Sequence, residues 1–187
     1  MAGLQDIATR LQSAPVATFH VTVVRCVGLI PLTSHGTPDY LFTSGKANRF
    51  NPAGVACVYF SEDEKTARAE YARRLGPAGR QPVGTFFAEA RLTKVLDLAD
   101  PKTRVVLGLS AKDLRVAWPL ARRPTLTQLL GLAFTQQADI SAIRFESDAA
   151  RAAGFAGFNV VIFRDCVRAP DYVKILGPTK KPLDQWP

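Results

Sequence analysis

Arg49, Tyr59 and Glu70 lie in one stretch of the chain, Gly45–Glu70, which reads GKANRFNPAGVACVYFSEDEKTARAE. A guanidinium is a two-pronged donor for anionic oxygens, and a carboxylate is a base or a stabiliser of positive charge. A phenol adds a ring with a hydroxyl at its rim. The apolar run Val55–Phe60, bounded by Asn51-Pro52 and Gly54, predicts a strand buried on both faces. Ser61 stands where an N-cap would stand and Glu64 follows three residues later, so a capping box is expected to open a helix there. Along that helix Ala67, Tyr71 and Leu75 form the inward stripe. Glu70 sits about 60° around from Ala67 at ~100° per residue, on the border of the stripe. Two readings follow: Glu70 enters a half-buried cleft beside Tyr59 and Arg49, or it pairs with Arg74 at i,i+4 on the surface.

The elements that must hold these residues are mixed in type and do not alternate strictly. Gly3–Ser13 reads as a short helix before Pro15, and Thr18–Val27 as a Val-rich strand with Arg25 near its end. Leu29–Asn48 is a loop-rich insertion and Pro77–Pro82 a turn. Val83–Leu98 reads as a strand pair or one long bent strand. Short helical pieces follow at Pro101–Leu109 and Ala111–Val116, then a helix at Thr125–Gln137. Ala142–Phe145 and Asn159–Val167 are strands, and the tail from Pro170 reads as irregular and basic. Strand runs without regular crossover helices favour an α+β class over a doubly wound sheet. A single domain over 1–187 is expected, with its core at 18–167 and a basic tail at 168–187.

At 187 residues the chain is long enough to bury a core without disulfides or metal. Cys26, Cys57 and Cys166 are widely spaced in apolar runs, as buried thiols of a reducing cytosol would be. His20 and His35 are the two histidines and no Cys pair has ligand spacing, so no metal site is expected. No window approaches the ~20 apolar residues of a membrane span, and the amino terminus lacks a signal pattern. The net charge of +8 calls for a partner of opposite sign: a phosphate-bearing small molecule, a nucleic acid or an acidic protein. The basic residues are scattered, as in Arg73-Arg74, Arg122-Arg123 and Lys180-Lys181, and no nucleic-acid recognition helix or aromatic–basic platform stands out. Direct nucleic-acid binding is therefore not expected.

Arg49-Phe50-Asn51-Pro52-Ala53-Gly54, then Val58-Tyr59-Phe60-Ser61, then Ala69-Glu70, resemble the core of the RES-domain family, bacterial toxins named for an Arg, a Glu and a Ser. Val95-Leu96-Asp97-Leu98 with Asp100-Pro101, Thr127-Gln128, Ala142-Ile143-Arg144-Phe145-Glu146-Ser147 and Asn159-Val160-Val161-Ile162-Phe163 resemble later family segments in the same order. The chain departs from the pattern at Ala47-Asn48, where the family commonly has two glycines, at Phe50, commonly Trp, and at Glu146, commonly Pro. Ser147 is the candidate for the family serine, with Ser141 as the alternative.

The resemblance implies the split-sheet fold of ADP-ribosyltransferases and cleavage of the nicotinamide–ribose bond of NAD. No Gly-x-Gly-x-x-Gly follows a strand, so NAD is expected as a substrate, not a Rossmann hydride carrier, and no tightly bound cofactor is expected. Inorganic phosphate or water would be the nucleophile. Glu70 would stabilise the positive charge that develops on the ribose, with Arg49 and Arg25 gripping the pyrophosphate and Lys46 as a weaker point charge. Tyr59 would stack on nicotinamide, and Ser147 and Asn159 would donate to ribose or phosphate oxygens. The plain alternatives are a surface charge for each Arg, a core ring for Tyr59 and a helix N-cap for Ser147. A cytoplasmic toxin of this kind is expected to be held by a cognate helix-turn-helix antitoxin. Mono-ADP-ribosylation of a protein and a non-enzymatic module that binds nucleic acid or a partner are the competing functions.

Overall fold

The computed structural model describes residues 4–28, 46–76, 82–116, 118, 121, 123–136, 140–177 and 182–187. Most of the loop-rich insertion (29–45) and of the expected turn (77–81) lies outside them. Helix α1 (Leu4–Ser13) buries Ile7 and Leu11 one turn apart and stops short of Pro15. The Val-rich stretch is strand β1 (Ala17–Gly28), and the apolar run with its flanking serine is β2 (Cys57–Ser61). Helix α2 (Glu64–Leu75) carries Glu70. Val83–Asp97 is one long strand, β3. Asp100 caps α3 (Pro101–Leu107) by accepting from the Lys102 amide, with Pro101 in the first turn where no amide is needed. A 3-10 turn at Asp113–Arg115 follows, then α4 (Leu126–Gln136), β4 (Ala142–Glu146), α5 (Asp148–Ala152) and β5 (Phe158–Phe163).

The chain is α+β with a seven-stranded sheet of mixed orientation. The sheet divides into an antiparallel β1–β3–β6–β7 part and an antiparallel β2–β5–β4 part, where β6 is Tyr172–Leu176 and β7 is Pro182–Trp186. Two narrow seams join the parts. One is the pair Val24↔Ser61 between β1 and β2, and the other is the parallel run Val95↔Ala142 to Asp97↔Arg144 between β3 and β4. Between the parts lies a core that includes Val23, Phe60, Ala88, Leu92, Val160, Ile175 and Trp186. The opposite face of β2–β5–β4, with Ile143, Val161 and Phe163, is covered by Ile7, Leu11, Leu107, Leu130 and Phe134 of α1, α3 and α4. Helix α2 lies on β1 through Ala67 against Val24 and Cys26.

Three expectations need correction. Ser61 does not cap α2. It is the last residue of β2, and Asp63 is the cap, accepting from the Thr66 amide at 2.8 Å and from the Thr66 hydroxyl at 2.7 Å. Asp63 stands immediately before the first helical residue with an extended backbone, the geometry a cap requires. A reciprocal side-chain and backbone exchange of the kind expected at Ser61 and Glu64 occurs instead between Thr125 and Gln128. The strand expected over Asn159–Val167 ends at Phe163, because Arg164–Cys166 turns into a 3-10 segment. The tail is not irregular: β6 buries Val173 and Ile175 in alternation, and β7 anchors Trp186 in the core. Cys26, Cys57 and Cys166 are buried, and no disulfide joins them. Among the described residues no helix is long and apolar enough to cross a membrane, and no group of side chains has the makings of a metal site.

Candidate active site

Glu70 does not pair with Arg74 on the surface. Its Oε1 accepts from the Ser147 hydroxyl at 2.7 Å and from the Asn159 side-chain amide at 2.6 Å. An i,i+4 surface pair of α2 lies six residues earlier and on the exposed side, Glu64 with Arg68. The difference follows from the stripe: Glu70 borders Ala67 and Tyr71, which face β1, whereas Glu64 and Arg68 face water.

Ser147 and Asn159 are delivered by neighbouring strands. Ser147 follows β4 and caps α5, its oxygen accepting from the Ala150 amide at 3.0 Å while its proton goes to Glu70. The cap and the contact with Glu70 are therefore one arrangement, since a hydroxyl accepts and donates at once. Asn159 lies on β5 directly opposite Ser61 of β2, and the Ser61 hydroxyl donates to its Oδ1 at 2.7 Å. Helices α2 and α5 approach closely at Gly157: a Cβ there would stand 2.3 Å from the Thr66 hydroxyl and 2.7 Å from the Ala150 methyl. Only a residue without a side chain lets the Glu70 helix and the Ser147 cap come together.

Arg49 sits on a turn hung from the β2–β5–β4 layer. The Tyr59 hydroxyl accepts from the Phe50 amide at 2.9 Å and donates to Asn51 Oδ1 at 3.0 Å. Asn51 in turn donates to the Lys46 carbonyl at 3.0 Å, and Gln128 of α4 donates to the Asn48 carbonyl at 2.9 Å. The Arg49 guanidinium pairs with Asp148 at 3.2 Å, donates to the Leu114 carbonyl, and lies 5.1 Å from the centre of the Phe145 ring. Burial lowers its proton affinity, and the charges of Asp148 and then Glu70 oppose that loss. Arg49 and Glu70 thus share one field. Tyr59 packs edge-on against Phe145 at 6.5 Å, and burial raises its hydroxyl well above the ordinary phenol value. It is the post for the Arg49 turn, and its ring is half-buried. Lys46 contributes its carbonyl to the turn and is itself exposed.

Arg25 occupies the place where β1 and β2 part after their one shared pair. Its Nη1 donates to the Tyr59 carbonyl at 2.6 Å, while its Nε is buried with no hydrogen-bond partner. Burial, with Arg74 adding to it, pulls its pKa down to about 10. Ser141, the alternative to Ser147, lies at the other end of β4, near the Lys94 carbonyl and Asp171. It is not part of the Glu70 cluster.

Sequence reasoning missed Ser61 and Asp148 as members of this arrangement. The pairing of Ser61 with Asn159 appears only once the β2–β5 register is known. Two hollows flank the cluster. One, of about 170 Å³, is bordered by Arg49, Arg104, Leu114, Phe145 and Asp148. The other, of about 380 Å³, is bordered by Ser147, Arg151, Phe155 and Phe158.

A family model described as RES domain matches residues 30–183. A chain in the crystal structure of the M. tuberculosis MbcT-MbcA toxin-antitoxin complex is similar in fold, with a TM-score of 0.61 and 19% identity over 89% of this chain and 88% of that one. No curated protein matches the chain.

Proposed function

The chain belongs to the RES-domain family, and on that premise we propose that it is a toxin that cleaves the nicotinamide–ribose bond of NAD and is neutralised by a cognate antitoxin. One observation carries the chemistry: the Glu70 carboxylate is held by two neutral donors, Ser147 and Asn159, beside the Arg49 guanidinium. A carboxylate fixed in this way is already in place for a cation that forms during reaction.

Nicotinamide in NAD is already cationic, so it leaves with the bonding electron pair as a neutral ring and needs no acid. Positive charge grows on the ribose carbon as that bond breaks, and Glu70 is the group that stabilises it. Glu70 also accepts a proton from the incoming nucleophile or a hydrogen bond from a ribose hydroxyl. An oxygen of inorganic phosphate or water then bonds to the ribose carbon. Arg25 and Arg49 take the pyrophosphate. Of the two, Arg25 is the better placed, because its buried Nε has no partner, whereas Arg49 is shared with Asp148 and Leu114. Three buried cysteines outside any disulfide fit a reducing compartment, so action in the cytoplasm is part of the reading. The antitoxin partner is proposed by likeness to the toxin–antitoxin complex of the similar fold. The net charge of +8 favours an acidic segment on that partner.

The test is incubation of the purified protein with NAD, with and without inorganic phosphate, following free nicotinamide. Release of nicotinamide is expected, and acceleration by phosphate identifies phosphorolysis. Intact NAD after prolonged incubation would overturn the reading. ADP-ribose appearing on a protein instead would make the activity a transferase.

A further inference from the structure

Ser61 has no part in the chemistry just described, yet it stands at the far end of a hydrogen-bond chain that terminates on Glu70. Ser61 Oγ donates to Asn159 Oδ1 at 2.7 Å, and Asn159 Nδ2 donates to Glu70 Oε1 at 2.6 Å. We infer that Ser61 is a positioning residue for Glu70, acting through Asn159, an inference that rests on the NAD-cleavage reading above.

The argument begins with the shape of a carboxamide. Its oxygen and nitrogen ends are nearly the same size, so packing alone does not decide which end faces a neighbour. Here the choice has consequences. The amide NH2 toward Glu70 holds the carboxylate, whereas the oxygen toward Glu70 repels it. Glu70, which only accepts, selects the NH2 end, and the Ser61 hydroxyl, donating to the oxygen end, holds the amide in that orientation. The same bond polarises the amide and strengthens its donation to Glu70.

The strands enforce the contact. Ser61 and Asn159 are direct cross-strand partners, so their side chains leave the same face of the sheet. Both are nearly fully buried, at 4% and 6% exposure, and water does not readily replace either group. Ser147 closes on the same oxygen, Oε1, and neither bond engages Oε2. Ser61 thereby fixes which carboxylate oxygen is spent on the protein and which is left for the ribose.

The experiment compares Ser61→Ala and Ser61→Thr with the wild type in two readouts. The first is steady-state nicotinamide release from NAD. The second is exchange of the Asn159 side-chain amide protons with water in 15N-labelled protein, assigned by their loss in Asn159→Ala. Ser61→Ala is expected to lower kcat about tenfold with KM near its wild-type value, and to speed the amide exchange. Ser61→Thr, which keeps the hydroxyl, is expected to recover most of both. Wild-type kcat in Ser61→Ala, or a loss that Thr does not restore while the exchange is unchanged, would overturn the role. If Ser61→Ala does not fold, Ser61→Cys keeps the volume with a weaker donor. A kcat below wild type with faster exchange then supports the inference, and wild-type values refute it. If the wild type itself releases no nicotinamide, the NAD reading fails. The amide exchange then still decides whether Ser61 holds Asn159.

Discussion

Two arginines on the two sides of the sheet's seams meet opposite fates. Arg144 of β4 donates to Glu62 at 2.5 Å and pairs with Asp97 at 3.0 Å, with its guanidinium 3.8 Å from the centre of the Phe158 ring. Burial lowers its proton affinity, but the bonds and charges of Glu62 and Asp97 outweigh that, and its pKa is raised. Arg25 is half-buried like Arg144, but it has one carbonyl acceptor, a second arginine nearby, and a pKa lowered to about 10. The Arg144 cluster sets one guanidinium between two carboxylates, so its positive charge is more than cancelled, and it ties β3, β4 and the link before α2 together. The Arg25 side of the molecule holds positive charge that no described side chain cancels. Under the proposed function, that cost answers to the pyrophosphate of NAD.

The sharpest way to break this contrast is on the Glu70 side. Glu70→Gln, nearly isosteric, should lower nicotinamide release about 10³-fold and leave circular dichroism unchanged. Full activity in that variant would remove Glu70 from the mechanism. Next in size is Gly131→Ala, which should cost about 3 kcal/mol in chemical denaturation, because its Cβ would fall 1.6 Å from the Phe50 carbonyl oxygen, a backbone atom that cannot swing away. Here activity should drop as well, since Phe50 carries the Arg49 turn. Arg144→Ala follows, and it strands Glu62 and Asp97. Their partial exposure (23% and 28%) moderates the cost, so chemical denaturation should show a loss of about 2 kcal/mol, with kcat of the folded protein retained. The smallest effect has the opposite sign. The depressed pKa of Arg25 means that the unfolded chain holds the proton more tightly, so a stability penalty is present at every pH below about 10 and fades above it. Arg25→Met should therefore raise the thermal midpoint by about 3 °C at neutral pH. Inorganic pyrophosphate should raise the midpoint of the wild type but not of that variant. A destabilised Arg25→Met would sink the contrast.

Much of this arrangement was legible in the chain. The apolar run before Ser61 specified a buried strand, and the spacing of Ala67, Tyr71 and Glu70 placed the carboxylate beside the buried stripe. What could not be read was any contact set by strand register. Ser61 looks like a cap because serine before an acidic helix start usually is one, yet Asp63 holds that place and the Ser61 hydroxyl crosses to Asn159. Arg144 looks like an odd charge within Ala142–Glu146 until β3 brings Asp97 alongside it. In the tail, Val173, Lys174 and Ile175 alternate as a strand should, but the prolines around so short a run obscured it. Tyr59 was legible as a buried ring, while its work for the Phe50 and Asn51 turn was not.

Strand β3 pairs with β1 along nearly its whole length, with β6 at its middle and with β4 at its end. Its alignment is therefore not a private matter of either half. A slide of one position would turn Ala88, Ala90 and Leu92 away from the interior and, at the other extremity, carry Asp97 off Arg144. The docking of the C-terminal strands and the integrity of the ion cluster are thus governed by a single backbone ruler, and an error in one is transmitted to the other without any side chain as messenger.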